Sequence, residues 1–93
     1  MGWEFMHDLG DRWLLENETG DDATDVRLEA FGKVVISGRA NWTRDLPTLA
    51  AGDTVAIRFK VGFGGKADPP YLRITWTPAH QPEERYYEDV PFP

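Results

Sequence analysis

The chain has 93 residues, no cysteine and a formal net charge of −6 at pH 7. This length fits one domain, residues 1–93. Its core must depend on apolar burial, because neither a disulfide nor a cysteine-based zinc site can form. The acidic charge excludes nucleic acid as a partner, since phosphate contacts need a clustered basic surface, and it disfavours an anionic membrane.

The first ten residues, 1–10, are expected to form an N-terminal strand or arm. They contain no basic region followed by an apolar run, so they do not read as a signal peptide. No part of the chain approaches the roughly 20 consecutive apolar residues that a membrane-spanning helix needs. We therefore expect that the protein is not secreted by a signal peptide.

Apolar and polar residues alternate in short runs along most of the chain, which is the pattern of half-buried β-strands. Trp13 and Leu15 are expected to point inward, and the later runs cover residues 26–30, 34–36, 55–61, 72–76 and 85–90. No long window has the period of a helix, and glycine and proline interrupt the chain often. The sequence predicts an all-β antiparallel β-sandwich of about seven strands. Residues 84–93 hold the last strand and a proline-rich tail.

A polar insert at residues 17–22 separates two of the predicted strands. Carboxylate oxygens are the ligands that Ca²⁺ prefers, so this region is a candidate metal site. Its candidate ligands are Glu18, Asp21, Asp22 and Asp25. They lack the spacing of an EF-hand loop. We favour a plain turn, in which Gly20 takes a positive φ while Asn17 and Asp21 accept hydrogen bonds from nearby backbone amides.

Catalytic groups are sparse in this sequence. The histidines, His7 and His80, lie near the start and in a late loop, and the only serine, Ser37, lies in a strand-like run. General acid–base chemistry needs titrating groups that converge in a pocket, and a thin sandwich leaves little room for one. We predict no catalytic residue, no enzymatic activity and no cofactor.

Charged residues on outward positions are expected to pair across strands. If the strand with Arg58 and Lys60 lies beside the strand with Glu16 and Glu18, opposite charges face each other. On the other sheet the expected pairs are Arg27 and Arg73 with Glu29, Glu88 or Asp89. The alternative is that an acidic stripe on one copy of the chain docks on a basic stripe of the next copy. We favour pairing within the chain.

Aromatic residues are abundant, at 13% of the chain. Those near the chain ends and in the glycine-rich loop are typical of docking anchors. The predicted partner-binding residues are Trp3, Phe5, Phe63, Lys66, Tyr87 and Phe92. In the alternative interpretation the end segments fold over the open sheet edges and bury their aromatic rings. A third interpretation is a carbohydrate-binding sandwich that stacks sugars on Trp3, Trp42 or Tyr87.

Three segments resemble small immunoglobulin-like domains of the bacterial CARDB type. They are Trp13-x-Leu15-x-Asn17-x-Thr19-Gly20-Asp21-x-Ala23, continuing to Val26, then Leu49-Ala50-Ala51-Gly52-Asp53-Thr54, and Leu72-x-Ile74-x-Trp76-Thr77. The resemblance covers most of residues 11–78. It implies an adhesion, spacer or assembly role without an active site, and such domains also serve as accessory modules of tailed-phage virions.

Together these observations favour a non-enzymatic, protein-binding structural or assembly module. The specific version is a phage virion accessory or capsid-decorating protein. Its expected partner is another protein, such as a capsid or tail protein, or a second copy of the chain. The rival function is a small cytoplasmic module that binds Ca²⁺ or another ligand through the acidic residues between Glu18 and Asp25.

Overall fold

Eight β-strands account for all the regular structure in the computed structural model, which describes residues 2–39, 42–61 and 69–93. The strands are β1 (Trp3–Leu9), β2 (Arg12–Asn17), β3 (Ala23–Phe31), β4 (Val34–Ile36), β5 (Thr43–Leu49), β6 (Thr54–Val61), β7 (Tyr71–Pro78) and β8 (Tyr86–Pro91). No helix in this part of the chain is long and apolar enough to cross a membrane.

The strands form two antiparallel sheets, so the predicted all-β sandwich is confirmed. The first sheet has the order β1-β2-β6-β4 and the second has the order β5-β3-β7-β8. The chain therefore changes sheet repeatedly, and β2 lies beside β6 although the two strands are far apart in the sequence. The neighbours β1, β2 and β6 on one sheet and β3, β7 and β8 on the other match the strand grouping of an immunoglobulin-like sandwich.

The core lies between the two sheets and is built from alternate residues of the long strands. On β7, Leu72, Ile74 and Trp76 are buried, while the residues between them are half-buried on the outer face. On β6, Val55, Ile57 and Phe59 are buried in the same way. This period of two is what the sequence pattern predicted for both strands.

The sandwich has one strand more than predicted, because β5 is a strand that the sequence pattern did not reveal. Among the described strands it forms an edge of the second sheet and pairs with β3 alone. Pro47 is tolerated there because an edge strand does not need a donor on its outer side. On β3, Asp25 lies between Thr24 and Val26, the residues that pair with Thr48 and Leu46 of β5. Asp25 has a φ of 51° and lies where the pairing of β3 with β7 slips between Thr24 and Arg27.

The predicted cross-strand charge pairs are correct for Arg73 on the second sheet and wrong on the first sheet. Arg73 binds Asp89 at 2.8 Å, whereas Arg27 pairs across strands with Asp45 at 3.1 Å and lies 3.7 Å from Glu29 of its own strand. On the first sheet, however, β2 and β6 run antiparallel in a register that places Arg58 opposite Arg12 and Glu16 opposite Thr54. The acidic residues of β2 and the basic residues of β6 therefore lie at opposite ends of the sheet. Arg58 binds Asp11 instead, at 3.0 Å.

Candidate functional site

The outer surface of the second sheet carries a cluster of aromatic and charged side chains. We call it the aromatic–arginine face, and its members are Phe31, Tyr71, Arg73, Tyr87 and Asp89. The sheet register explains the cluster, because Phe31 pairs with Tyr71 and Arg73 pairs with Asp89 on neighbouring strands. Tyr87 lies two residues along β8 from Asp89 and therefore points to the same side of the sheet.

Arg73 is the central residue of this face. Its Nε and Nη2 donate to the two carboxylate oxygens of Asp89 at 2.8 and 3.0 Å. Its guanidinium carbon lies 4.8 Å from the ring centroid of Tyr87 and 5.3 Å from that of Phe31, within the range of cation–π attraction. The hydrogen bonds from Arg73 hold the pKa of the Asp89 carboxyl below its ordinary value, and those same bonds raise the pKa of Arg73. The guanidinium is thus fixed in one place and stays charged.

Phe31 and Tyr71 form a stacked ring pair next to Arg73. Their centroids are 5.1 Å apart and their planes differ by 17°. The backbone at the end of β3 makes this arrangement depend on Gly32, which has a φ of 90°. A Cβ atom at this position would lie 2.8 Å from the Cα of Pro70, so only glycine lets the two chain segments approach this closely.

Tyr87 is the part of this face most open to a partner. Its side chain is 64% exposed, whereas Phe31 and Tyr71 are half-buried. Tyrosine and arginine are over-represented among the residues that dominate binding energy at protein interfaces. A rigid set of rings and one fixed ion pair can bind a partner, but these side chains include no activated nucleophile.

The structure separates the predicted partner-binding residues into three groups. Trp3 and Phe92 are buried and Phe5 is half-buried against the core, so their rings are not exposed anchors. The ring of Phe92 lies 4.6 Å from that of Phe59 and 5.5 Å from that of Phe5. These contacts agree with the alternative in which the end segments cover the open edges. Tyr87 is exposed as predicted, while Phe63 and Lys66 lie outside the described residues.

The polar insert is organised by Asn17, the one buried polar side chain among the described residues. Its Nδ2 donates to the carbonyl oxygens of Leu49 at 2.9 Å and Asp21 at 3.0 Å. Its Oδ1 accepts from the backbone nitrogen of Thr19 at 3.0 Å and from the Thr19 hydroxyl at 2.7 Å. Every polar atom of the Asn17 amide is therefore used inside the fold. Gly20 has the positive φ expected of the turn, at 86°.

Two acidic residues of the insert hold neighbouring turns. Asp22 accepts a hydrogen bond from the backbone nitrogen of Ala51 at 2.9 Å, which ties the insert to the turn before β6. Asp21 accepts from the backbone nitrogen of His80 at 3.0 Å and also contacts the His80 ring. The hydrogen bonds from His80 hold the pKa of Asp21 below its ordinary value. The insert thus joins the turn before β6 and the turn after β7 at one end of the sandwich.

The other two candidate metal ligands lie apart from this pair. Asp25 sits at the slip in β3, where Arg85 donates to the Asp25 carbonyl oxygen at 2.9 Å and lies 3.5 Å from its carboxylate. Glu18 lies with Glu4 and Glu16, whose hydrogen bonding and negative charge raise the pKa of Glu18. Among residues 2–39, 42–61 and 69–93, no group of three or more histidines, cysteines or acids is arranged to hold a metal ion.

The Asp21–His80 pair is a feature that the sequence pattern could not reveal, because its members are 59 residues apart. It borders a small cavity of about 150 Å³ that is also lined by Thr19, Trp76 and Tyr86. The Thr19 hydroxyl can donate its one hydrogen either to Asn17 Oδ1 or to the Asp21 carbonyl oxygen. The Tyr86 hydroxyl donates to the side-chain oxygen of Gln81 at 2.9 Å. The hydroxyls that line this cavity are thus engaged in the fold.

The remaining histidine and the serine lie elsewhere. His7 Nε2 is 3.0 Å from the carbonyl oxygen of Gly10, and the His7 ring packs on Trp13 at 4.8 Å. Ser37 is not within a strand, as the sequence had suggested, but in the turn after β4, with a φ of 51°. The structure therefore does not bring these residues together.

Comparison with known proteins adds no family to these observations. No protein-family model matches the sequence, and neither the curated proteins nor the solved structures give a match.

Proposed function

We propose that this chain is a non-enzymatic structural or assembly module that binds another protein through the aromatic–arginine face. The observation that carries the proposal is the fixed position of Arg73, which is held by Asp89 and by the rings of Phe31 and Tyr87. This arrangement exists before any partner arrives. Binding therefore loses less side-chain entropy than it would with a free arginine, which costs about 0.5–1.5 kcal/mol to immobilise.

The geometry of the rings favours a protein over a carbohydrate partner. A sugar stacks on an open ring face, but Phe31 and Tyr71 stack mainly on each other and Arg73 lies over one side of Tyr87. Trp3, another proposed sugar platform, is 3% exposed, and Trp42 is packed against the core. The edges of these rings and the Tyr87 hydroxyl suit a protein surface that offers apolar side chains and hydrogen-bond partners.

A variant series tests this proposal in extracts of the organism from which the chain comes. Immobilised wild-type protein should retain a defined partner, and Tyr87→Ala and Arg73→Ala should each reduce its retention at least about tenfold, as expected for central interface residues. Tyr86→Ala is the matched control, because Tyr86 is adjacent in sequence but packs toward Trp76 on the other side of β8. Equal loss in all three variants, or no loss in the first two, would contradict the proposal.

A phage virion is the setting that we propose for this module, and the support for it is the resemblance to CARDB-type domains. In this setting the sandwich would serve as the scaffold and the aromatic–arginine face as the surface that binds the virion. Gradient sedimentation of native material, followed by mass spectrometry, tests the setting separately. We expect comigration with large particles in a fixed ratio to a major coat protein, and recovery only near the monomer mass would exclude the virion.

A further inference from the structure

The outer surface of the first sheet has an uneven distribution of charge along its strands. We call this surface the dipolar face. The sheet register places Glu4 beside Glu16 at one end, and Arg12 beside Arg58 at the other. Lys60 lies two residues beyond Arg58 along β6 and therefore on the same side of the strand. An acidic end and a basic end therefore share one surface.

The acidic end has no compensating cation among the residues that the structure describes. Glu4, Glu16 and Glu18 lie together, and none of them forms an ion pair within the part of the chain that the structure describes. Their mutual repulsion is visible in Glu18, whose pKa is raised by the hydrogen bond with Glu4 and by the charges of Glu4 and Glu16. Like charges held this close would gain from an approaching cation.

The basic end carries a smaller excess of the opposite sign. Arg12 lies 3.2 Å from Asp8, and Arg58 lies 3.0 Å from Asp11. Lys60 has no described carboxylate within ion-pair distance. The arginine pairs are largely exposed, so the guanidinium groups can still attract a second carboxylate.

An apolar strip separates the two ends. It is formed by Met6, Leu14 and Ala56, which lie side by side on β1, β2 and β6. Met6 is 37% exposed, and Leu14 and Ala56 are half-buried. Val35 at the rim of the same surface is 45% exposed. A partner that covers this strip would remove apolar surface from water.

We propose that the dipolar face binds a second copy of this chain about a two-fold axis that lies in the interface and runs along the apolar strip, across the strands. Such an axis places the acidic end of each copy on the basic end of the other and the strip on itself, which is the self-complementarity that a symmetric dimer requires. Within one chain, the register of β2 against β6 keeps Arg58 away from Glu16, so the predicted pairing is wrong there. In the dimer, Arg58 of one copy would face the acidic end of the other copy, where Glu16 lies.

The size of the surface limits the strength of this dimer. β2 has six residues and β6 has eight, so the sheet surface measures roughly 20 Å by 20 Å, or about 400 Å² per copy. A standard stable interface uses about 800 Å² per partner. The dimer is accordingly expected at the weak, transient end of protein interfaces, and it weakens further at high salt.

The proposed dimer does not depend on the proposed function, but it would bring two protein-binding faces into one assembly. The dipolar face and the aromatic–arginine face lie on opposite sides of the sandwich, because they belong to the outer surfaces of different sheets. Dimerisation would leave two aromatic–arginine faces open and pointing away from each other. A partner that is itself repeated could then be bound by both copies at once.

A pair of charge-reversed variants tests the dimer. The acidic variant carries Arg58→Glu and Lys60→Glu, and the basic variant carries Glu16→Lys and Glu18→Lys. Sedimentation velocity of wild-type protein up to about 500 μM in low salt should show dimers. Each variant alone should have a Kd raised at least about tenfold, because like charges now face each other at both ends. An equimolar mixture should form heterodimers, since the acidic copy then opposes the basic copy throughout.

The control variant carries Glu83→Lys and Glu84→Lys, which change the net charge as the basic variant does but lie in the turn before β8. It should dimerise like the wild type, and circular dichroism should show that all variants fold. A wild type that stays monomeric over the whole range would overturn the proposal. Dimers that neither variant weakens would also overturn it and would point to pairing along the β1 edge, which does not involve β6. Failure of the mixture to associate would exclude the two-fold arrangement.

Discussion

Replacement of Asn17 by aspartate should destabilise the fold strongly although the two side chains have almost the same shape. The Nδ2 of Asn17 donates to the carbonyl oxygens of Leu49 and Asp21, at 2.9 and 3.0 Å. An ionised aspartate would turn a negative oxygen toward both of these acceptors at a site with 0% exposure. The loss of two hydrogen bonds and the burial of an unpaired charge should together cost roughly 3–5 kcal/mol at neutral pH.

The dependence on pH distinguishes this charge effect from simple loss of hydrogen bonds. Burial and the two carbonyl oxygens should raise the folded-state pKa of the introduced carboxyl above its unfolded value near 3.9. Its protonated form is therefore favoured in the fold, so stability is retained below the unfolded pKa and lost as the pH rises through the folded pKa. The loss in the free energy of unfolding caused by Asn17→Asp should therefore decrease as the pH falls, relative to the loss caused by Asn17→Ala, which introduces no titrating group.

Urea unfolding followed by tryptophan fluorescence measures both variants between pH 7 and pH 4. The wild type and Asn17→Ala, measured in the same buffers, remove the contribution of the native acids. If Asn17→Asp lowered the free energy of unfolding by less than about 1 kcal/mol at pH 7, the buried hydrogen-bond network would be refuted, since even one unsatisfied buried group costs about 1–3 kcal/mol. If the losses in the free energy of unfolding caused by Asn17→Asp and Asn17→Ala changed in parallel at every pH, the charge argument would be refuted.

Substitutions at three further positions probe other parts of the structure. Gly32→Ala should lose roughly 1–3 kcal/mol in urea unfolding, because the new Cβ would lie 2.8 Å from the Cα of Pro70 at a φ of 90°; a neutral result would contradict this close approach. Trp3→Phe should cost less than about 1.5 kcal/mol, since it removes a buried indole nitrogen that has no hydrogen-bond partner among residues 2–39, 42–61 and 69–93, whereas Trp3→Ala should cost about 3–5 kcal/mol; equal losses would contradict this difference. Asp21→Asn should make stability depend less on pH in the acid range. The lowered pKa of Asp21 gives stability that is present above its unfolded pKa and lost as the pH falls through the folded pKa. If the melting temperatures of the variant and the wild type fell in parallel on acidification, this prediction would be contradicted.

The sequence pattern predicted those strands whose local pattern matches their burial. The alternation in β6 and β7 is strict because both strands are central in their sheets and pack one face against the core. β5 was missed because Arg44, Asp45 and Pro47 break the alternation. Such a sequence becomes a strand only because β3 supplies a partner along an edge. Edge strands are held by their neighbour more than by their own composition.

The candidate site was predictable only where its contacts follow from neighbouring positions. The turn role of the insert was expected from Asn17 and Gly20, and the structure confirms it. The register of β2 against β6 could not be derived, because alternation fixes which side a residue faces but not its height along the strand. The Asp21–His80 contact and the grouping of rings around Arg73 likewise depend on the packing of distant segments.

The burial of the terminal aromatic rings shows the same limit. Trp3 and Phe5 alternate as an inward face should, but their burial requires Phe92 and Trp76 to close over them from the other end of the chain and the other sheet. The ring planes of Trp3 and Trp76 meet at 67° with centroids 5.4 Å apart. Such a contact is set by the complete fold and not by the residues that flank either ring.

Site-specific photo-crosslinking from position 87 tests the proposed function most directly. A photoreactive phenylalanine would replace Tyr87 on the aromatic–arginine face or, as a control, Tyr86 on the other side of β8, and both proteins would be irradiated in native extract. We predict one dominant protein adduct from position 87, absent when Arg73→Ala is added and absent from position 86. The same adducts from both positions, or none from position 87, would contradict a protein-binding role for this face.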